Sequence, residues 1–220
     1  MALLTVQDRY RIRKARPEVR EPSDRIAAWE MDSPLHFVGA FMREPFKVGA
    51  VWPSSSALSR VVADCCEIKT GDLVVELGPG TGAFTGLLLE RLNGHGQLVA
   101  VEIDSTHATI LRHRFPRCTV IHDSAENLTR RLDGRQADCI VSGLAWGSML
   151  PQMQDRIFQA ILDSLTPNGQ LVAFANVHAA WFPTSQRFRR RLLEHFKHVE
   201  TTRVIWRNLP PAFVFSCRRA

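Results

Sequence analysis

One stretch constrains this chain more than any other: Leu73-Val74-Val75-Glu76-Leu77, followed by Gly78-Pro79-Gly80-Thr81-Gly82. The first five residues form a short, nearly continuous apolar run, the pattern of a parallel strand buried on both faces. Phe84, Leu87, Leu88 and Leu89 then recur at helical spacing. Glycines between a strand and a helix let the backbone take positive φ and approach a ligand closely. A helix start behind such a turn is a ready-made ligand cradle.

The pattern continues as alternation. Apolar runs at 97–102, 119–122, 138–143 and 170–175 read as strands, the last entered through Pro167-Asn168-Gly169. Helical stretches fall at 106–114, 125–132, 151–165 and 184–197. Two strands close the chain, 199–207 and 212–218, and their short link through Leu209-Pro210-Pro211 makes them antiparallel. The expected fold is therefore α/β and Rossmann-like. It is a mostly parallel seven-stranded sheet with an antiparallel last strand and helices on both faces.

A length of 220 residues fits one domain. Residues 1–32 are polar and Arg-rich and read as a loosely packed basic arm, with a single domain over 33–220. Within it, helices between 33 and 66 precede a core at 72–220. Ser33-Pro34 starts the first helix, Leu35, Phe37, Val38, Phe41 and Met42 form its apolar stripe, and Pro45 stops it. Ser54 or Ser55 caps a second helix at 54–66.

The glycine turn admits two ligands. Gly78, Gly80 and Ala83 satisfy the dinucleotide fingerprint G-x-G-x-x-[GA]. Pro79, however, has no N–H to offer a pyrophosphate, and Glu76 sets a carboxylate where it would repel one. A carboxylate there suits a cationic ligand, and S-adenosylmethionine carries both an ammonium and a sulfonium. Glu102 ends the second strand, 24 residues after Gly78, and its carboxylate can accept both hydroxyls of a ribose. Asp123, after the third strand, is read evenly as an acceptor for an adenine amino group or as a helix cap.

These residues resemble the class I S-adenosylmethionine-dependent methyltransferases, through Glu76–Thr85 and Val101–Asp104. Two stretches narrow the resemblance, Gly49-Ala50-Val51-Trp52-Pro53-Ser54-Ser55 and Trp206-Arg207-Asn208-Leu209-Pro210-Pro211-Ala212. Both are similar to the bacterial phospholipid N-methyltransferases, which act on phosphatidylethanolamine, and to related enzymes of ornithine lipids. The resemblance spans residues 35–220 and implies one to three methyl transfers to the amine of a membrane aminolipid. It places Gly78, Gly80, Gly82 and Ser142, at the end of the fourth strand, in the cofactor site. The chain departs from the phospholipid enzymes at Ser142-Gly143-Leu144-Ala145-Trp146, where they carry Ser-x-Leu-Pro. It departs again at Ala175-Asn176-Val177-His178, where they carry a tyrosine. Ornithine lipid therefore stays in play as acceptor. The alternative is an RNA adenine N-methyltransferase of the ribosomal dimethylase type. Those enzymes hold the base with an Asn-Leu-Pro-Tyr-like motif after the fourth strand. Here Ser142 and Gly143 cannot supply the amide, and Trp146 either stacks on a base or lines the core.

Amine methylation needs the nitrogen deprotonated, which for a lysine-like amine near neutral pH costs about 4–5 kcal/mol. His178 reads either as the proton acceptor or as a simple polar wall of the pocket, and Tyr10 is a weaker acceptor candidate should the arm fold over the pocket. No residue spacing suggests a metal, and this chemistry requires none.

A net charge of +6 favours an anionic partner. Arg9, Arg11, Arg13, Lys14, Arg16, Arg20 and Arg25 lie on the arm, and Arg187, Arg189, Arg190, Arg191 and Lys197 on the last helix. The apolar stripe of 34–44 reads equally as a membrane-facing or a domain-packing face, and Arg189–Arg191 equally as a lipid-binding or a solvated face. In the first reading they would hold the protein peripherally on an anionic or aminolipid membrane surface, with nucleic acid the weaker partner. The N-terminus reads as no signal peptide, no run reaches the roughly 20 apolar residues of a spanning helix, and the five cysteines have no C-x-x-C pair. The expected location is cytoplasmic, on the inner face of the membrane.

Overall fold

The computed structural model describes residues 10–13 and 55–219. The helix expected at 34–44 and most of the Gly49–Ser55 stretch lie outside the described residues, as does most of the arm.

Among the described residues, eight strands form one sheet: β1 (Tyr10–Arg13), β2 (Leu73–Leu77), β3 (Gln97–Glu102), β4 (Cys118–His122), β5 (Ala137–Ser142), β6 (Leu165–Asn176), β7 (His198–Thr202) and β8 (Ala212–Arg218). Their spatial order is β1-β7-β8-β6-β5-β2-β3-β4. All pairings are parallel except those of β8 with β6 and β7. The helices are α1 (Ser56–Cys65), α2 (Thr85–Leu92), α3 (Ser105–Arg114), α4 (Leu128–Arg131), α5 (Pro151–Ser164) and α6 (Pro183–His195). The seven expected strands are all present as β2 to β8, the last of them antiparallel.

Within the arm, β1 is a strand not foreseen from the sequence: its backbone pairs in parallel with β7, Tyr10 level with Val199 and Arg13 with Thr202. β7 ends at Thr202, earlier than expected, and the chain then turns through Ile205–Ala212 rather than continuing extended. β6 begins at Leu165 and takes in the expected Pro167–Gly169 turn, with a register irregularity against β5.

The sheet sorts its side chains by the two-residue period of a strand. Val75, Leu77, Val99, Val101, Ile140 and Leu171 face a core closed by α4, α5 and α6. Val74, Leu98, Ala100, Cys139, Val141 and Val172 face the opposite core, closed by α1 and α2. Under α5 and α6, Trp146 stacks on Phe188 at 4.0 Å, and Phe158 meets both rings edge-on. Burying each such ring contributes roughly 1.5–3 kcal/mol.

α1 starts at Ser55, whose Oγ accepts from the Leu58 N–H at 3.2 Å. Gln170 clamps this face: its Nε2 donates to Cys65 O at 2.8 Å and Ser216 Oγ at 2.9 Å, and its Oε1 accepts from Glu67 N at 2.9 Å. None of the five cysteines is in a disulfide, and all five are buried. A hydrogen bond with Cys139, reinforced by burial, raises the Cys66 thiol, and burial pushes Cys118 up to about 12. These are packing residues rather than reactive thiols.

Strand order reverses between β2 and β5, where an open α/β sheet forms a ligand crevice at its C-terminal ends. Gly143 closes that junction. Its N–H donates to Leu77 O at 2.8 Å, and a Cβ built there would lie 2.5 Å from Gly78 O. Gly143→Ala must push the glycine turn away. It should cost about 1–3 kcal/mol in urea unfolding, and an unchanged midpoint would show the junction to be slack.

Candidate cofactor and acceptor site

The glycine turn leaves β2 at the switch point. Gly78, Gly80 and Gly82 adopt φ of 66°, 56° and 88°, a region closed to most side chains. Their surroundings differ in kind. A Cβ on Gly78 would strike Leu144 at 2.6 Å and one on Gly82 would strike Phe115 at 2.3 Å, whereas one on Gly80 meets nothing within 4 Å. Gly78 and Gly82 are packing glycines, and Gly80 is the one that faces open space.

Glu102 holds this turn from β3. Its Oε2 accepts from the Gly80 N–H at 2.9 Å and its Oε1 from the Asp104 N–H at 2.9 Å. A carboxylate offers about four lone-pair sites, so each oxygen keeps acceptor capacity after these bonds. Asp104 itself caps α3 through the His107 N–H at 2.8 Å.

Glu76 is fully buried on the α2 side of the sheet. Its Oε2 accepts from the Thr85 hydroxyl at 2.6 Å, while its Oε1 is buried with no hydrogen-bond partner. Burial pushes this carboxyl up to about 7; the Thr85 hydrogen bond opposes the rise and the Glu102 charge adds to it. A buried acceptor without a donor is costly, and a cation arriving in the crevice would supply both donor and charge. Thr85 escaped the sequence reading because a threonine in a helix's first turn carries no periodic signal.

Asp123 does not stand open. Its Oδ1 accepts from Ser124 N at 2.7 Å and Asn127 Nδ2 at 2.8 Å, and its Oδ2 from Arg131 Nε at 2.5 Å, with Arg130 at 3.5 Å. The Asn127 and Arg131 hydrogen bonds hold the carboxyl well below the usual carboxylate range. The structure shows a turn-holding role for this side chain. The helical cap is Ser124, one residue on, through the Glu126 N–H.

Ser142 ends β5 beside Leu77, buried, and its Oγ accepts from the Trp146 indole N–H at 3.0 Å. It faces Trp146 in this arrangement and fixes that ring. Gln154, also missed in the sequence, is buried and donates to Trp146 O at 2.7 Å and Thr184 O at 3.1 Å. It staples the segment after β5 to the segment after β6. Trp146 is thereby a core residue.

His178 lies in a short 3-10 turn, Val177–Ala179, at the C-terminal end of β6. It is exposed, with its ring edge-on to Phe182 at 6.5 Å. It shares the sheet end of the glycine turn, with β5 between their strands. Tyr10 does not. Its backbone sits on the far edge strand, five positions from β2, or roughly 24 Å across the sheet. It is level with Val199 rather than at the C-terminal ends, so the arm does not bring Tyr10 over the glycine turn.

The basic run of α6 is partly engaged within the fold. Arg187 donates twice to Asp155 at 2.8 Å, and Arg191 pairs with the same carboxylate and lies over Phe158. Among the described residues no cluster of side chains could hold a metal ion, and no helix is long and apolar enough to cross a membrane.

A doubly wound sheet ending in an antiparallel strand, with a glycine turn flanked by Glu76 and Glu102 at its switch point, defines a class I methyltransferase architecture. Residues 74–169 match the family model described as a methyltransferase domain. An ornithine lipid N-methyltransferase from Singulisphaera acidiphila is 31% identical over 188 residues, 83% of this chain and 94% of that protein. Ribosomal RNA small subunit methyltransferase A from Geobacter sulfurreducens is 39% identical over only 79 residues, 34% of this chain and 27% of that protein. A SAM-dependent O-methyltransferase from Thermotoga maritima shares the fold, with a TM-score of 0.60 at 15% identity over 82% of this chain and 71% of that one. The chain belongs to the class I S-adenosylmethionine-dependent methyltransferases, and S-adenosylmethionine is its methyl donor.

The residues present fit that donor. The orphaned Glu76 Oε1 would accept from a cationic ammonium, the spare lone pairs of Glu102 would accept from ribose hydroxyls, and the space before Gly80 would admit a close ligand.

Proposed function

We propose that this protein methylates the amine of a membrane aminolipid head group, with ornithine lipid the first acceptor to test and phosphatidylethanolamine the second. The observation that carries this reading is the extent of similarity. The ornithine lipid enzyme matches along 83% of this chain, whereas the ribosomal RNA enzyme matches along 34%. The segment after β5 supports it. An adenine acceptor needs an aromatic ring free to stack, and Trp146 is held inside by Phe188, Ser142 and Gln154.

In this reading Glu76 receives the donor's ammonium, Glu102 its ribose, and the turn through Gly80 lies against it. Bound there, S-adenosylmethionine supplies a methyl group on a sulfonium. The protein supplies position and amine state. His178 accepts the proton that the head-group amine must lose. His178→Asn should lower kcat by about tenfold to a hundredfold with KM for the lipid nearly unchanged. An unaltered kcat would remove His178 from the chemistry.

The acceptor test is a labelled-methyl assay with vesicles containing ornithine lipid or phosphatidylethanolamine, and total RNA in parallel. Label in one lipid identifies the acceptor. Label in RNA with both lipids blank overturns the proposal, and thin-layer mobility of the product counts the methyl groups.

A further inference from the structure

The segment joining β7 to β8 inverts the usual division between inside and outside. Asn208 is buried at 5% exposure, while Trp206 and Leu209 on either side are 76% and 58% exposed. The segment is tied down. Ile205 N donates to Ala212 O at 2.7 Å, Asn208 N to Ile205 O at 3.2 Å and Asn208 Nδ2 to Pro210 O at 2.7 Å. Asn208 Oδ1 accepts from Ser55 N at 2.9 Å, so this segment is fastened to the start of α1. Pro211 O accepts from Val177 N at 2.8 Å, which joins it to the turn after β6. That turn leads into Trp181, 83% exposed, and Phe182. The indoles are therefore held outward by a polar framework, and exposed apolar groups on a fixed framework mark a surface that something covers.

We infer that this rim of the sheet is a bilayer-docking face, with Trp181, Phe182, Trp206 and Leu209 inserted among lipid head groups and Arg203 and Arg207 paired with lipid phosphates. The inference rests on the aminolipid reading and deepens it. An amine anchored to acyl chains must reach the C-terminal ends of the strands without leaving its membrane. The segments carrying these side chains follow β6 and β7 at that same end. Tryptophan suits the membrane interface because its ring is apolar and its N–H is polar. Arg203 and Arg207 are exposed and form no ion pair among the described residues. That leaves them available to an anionic leaflet.

The test uses the full chain and co-sedimentation with phosphatidylcholine vesicles, with and without phosphatidylglycerol. The paired substitution Trp181→Ser and Trp206→Ser should weaken partitioning by about tenfold or more on both vesicle types. Arg203→Gln with Arg207→Gln should weaken it only on anionic vesicles and flatten its salt dependence. Quenching of tryptophan fluorescence by bromine-labelled lipid should disappear with the two indoles. Methylation of a short-chain, fully dissolved aminolipid should persist in the tryptophan variant while methylation of vesicles falls. Sedimentation equal to the parent protein overturns the inference. So do indoles shielded from acrylamide in the free protein, which would mean the chain's own N-terminal segment covers them. A loss of dimer mass on substitution would point to a second copy and overturns it too. Because binding is read without methyl transfer, a protein that docks yet labels only RNA keeps this face and loses the proposed acceptor.

Discussion

Glu76→Gln is expected to raise the dissociation constant for S-adenosylmethionine by about a hundredfold or more while making the ligand-free protein more stable above neutral pH. Both effects come from one buried oxygen. Glu76 Oε1 has no partner, and burial lifts the carboxyl from 4.5 to about 7. The folded chain thus holds this proton more tightly than the unfolded chain does. Below the unfolded value both states are protonated and no penalty exists. As pH rises from there the unfolded chain ionises first, and stability is lost until the folded group also ionises near 7. The full loss is about 3 kcal/mol. Glutamine cannot ionise, so urea midpoints of the variant and the parent should agree near pH 4 and separate by about pH 8, with the variant higher. Titration calorimetry supplies the other half. An ammonium that locks Glu76 in its ionised form makes cofactor binding release a proton below about pH 7, and affinity rises with pH through that range. Binding of equal strength in the variant, or proton uptake in the parent, would separate Glu76 from the ammonium.

Glu102→Ala should be nearly as damaging for a different reason. Glu102 holds two backbone N–H groups, Gly80 and Asp104, before any ligand is present. Alanine leaves both donors without their acceptor and removes the place for the ribose hydroxyls. Hydrogen bonds to a charged group contribute about 1.5–3 kcal/mol each, so losing the ribose pair alone predicts a dissociation constant raised at least about a hundredfold. The loop can be read separately. Amide exchange at Gly80 should quicken in the ligand-free variant, because its N–H is no longer held. Weakened cofactor binding with unchanged Gly80 exchange would mean that Glu102 meets only the ligand.

Much of this architecture was legible in the residues. Strands β2 to β6 are short runs whose apolar residues feed both faces, and hydrophobic patterning reports burial directly. The glycine turn, Glu76 and Glu102 were legible because their positions relative to strand ends are set by local chain geometry. The contacts that were not read share a cause. Thr85, Gly143, Gln154 and Asn208 matter through partners 9, 65, 30 and 153 residues away. No local period encodes such a contact. β1 was missed because its pairing to β7 joins residues about as far apart as the chain allows, and four polar-flanked residues in an arginine-rich arm carry no strand signature.

By itself, the sequence determined the layering of the sheet, the place of the crevice and the charge of its ligand, since strand periodicity, glycine backbone freedom and carboxylate chemistry all act within a few residues. Only the tertiary structure decided which acceptors stand free. Two aspartates or glutamates at strand ends read alike on paper. In space, Asp123 is held by Ser124, Asn127 and Arg131, whereas Glu76 keeps one buried oxygen without a partner. Whether a carboxylate supports the fold or waits for a ligand depends on the donors that distant segments bring to it.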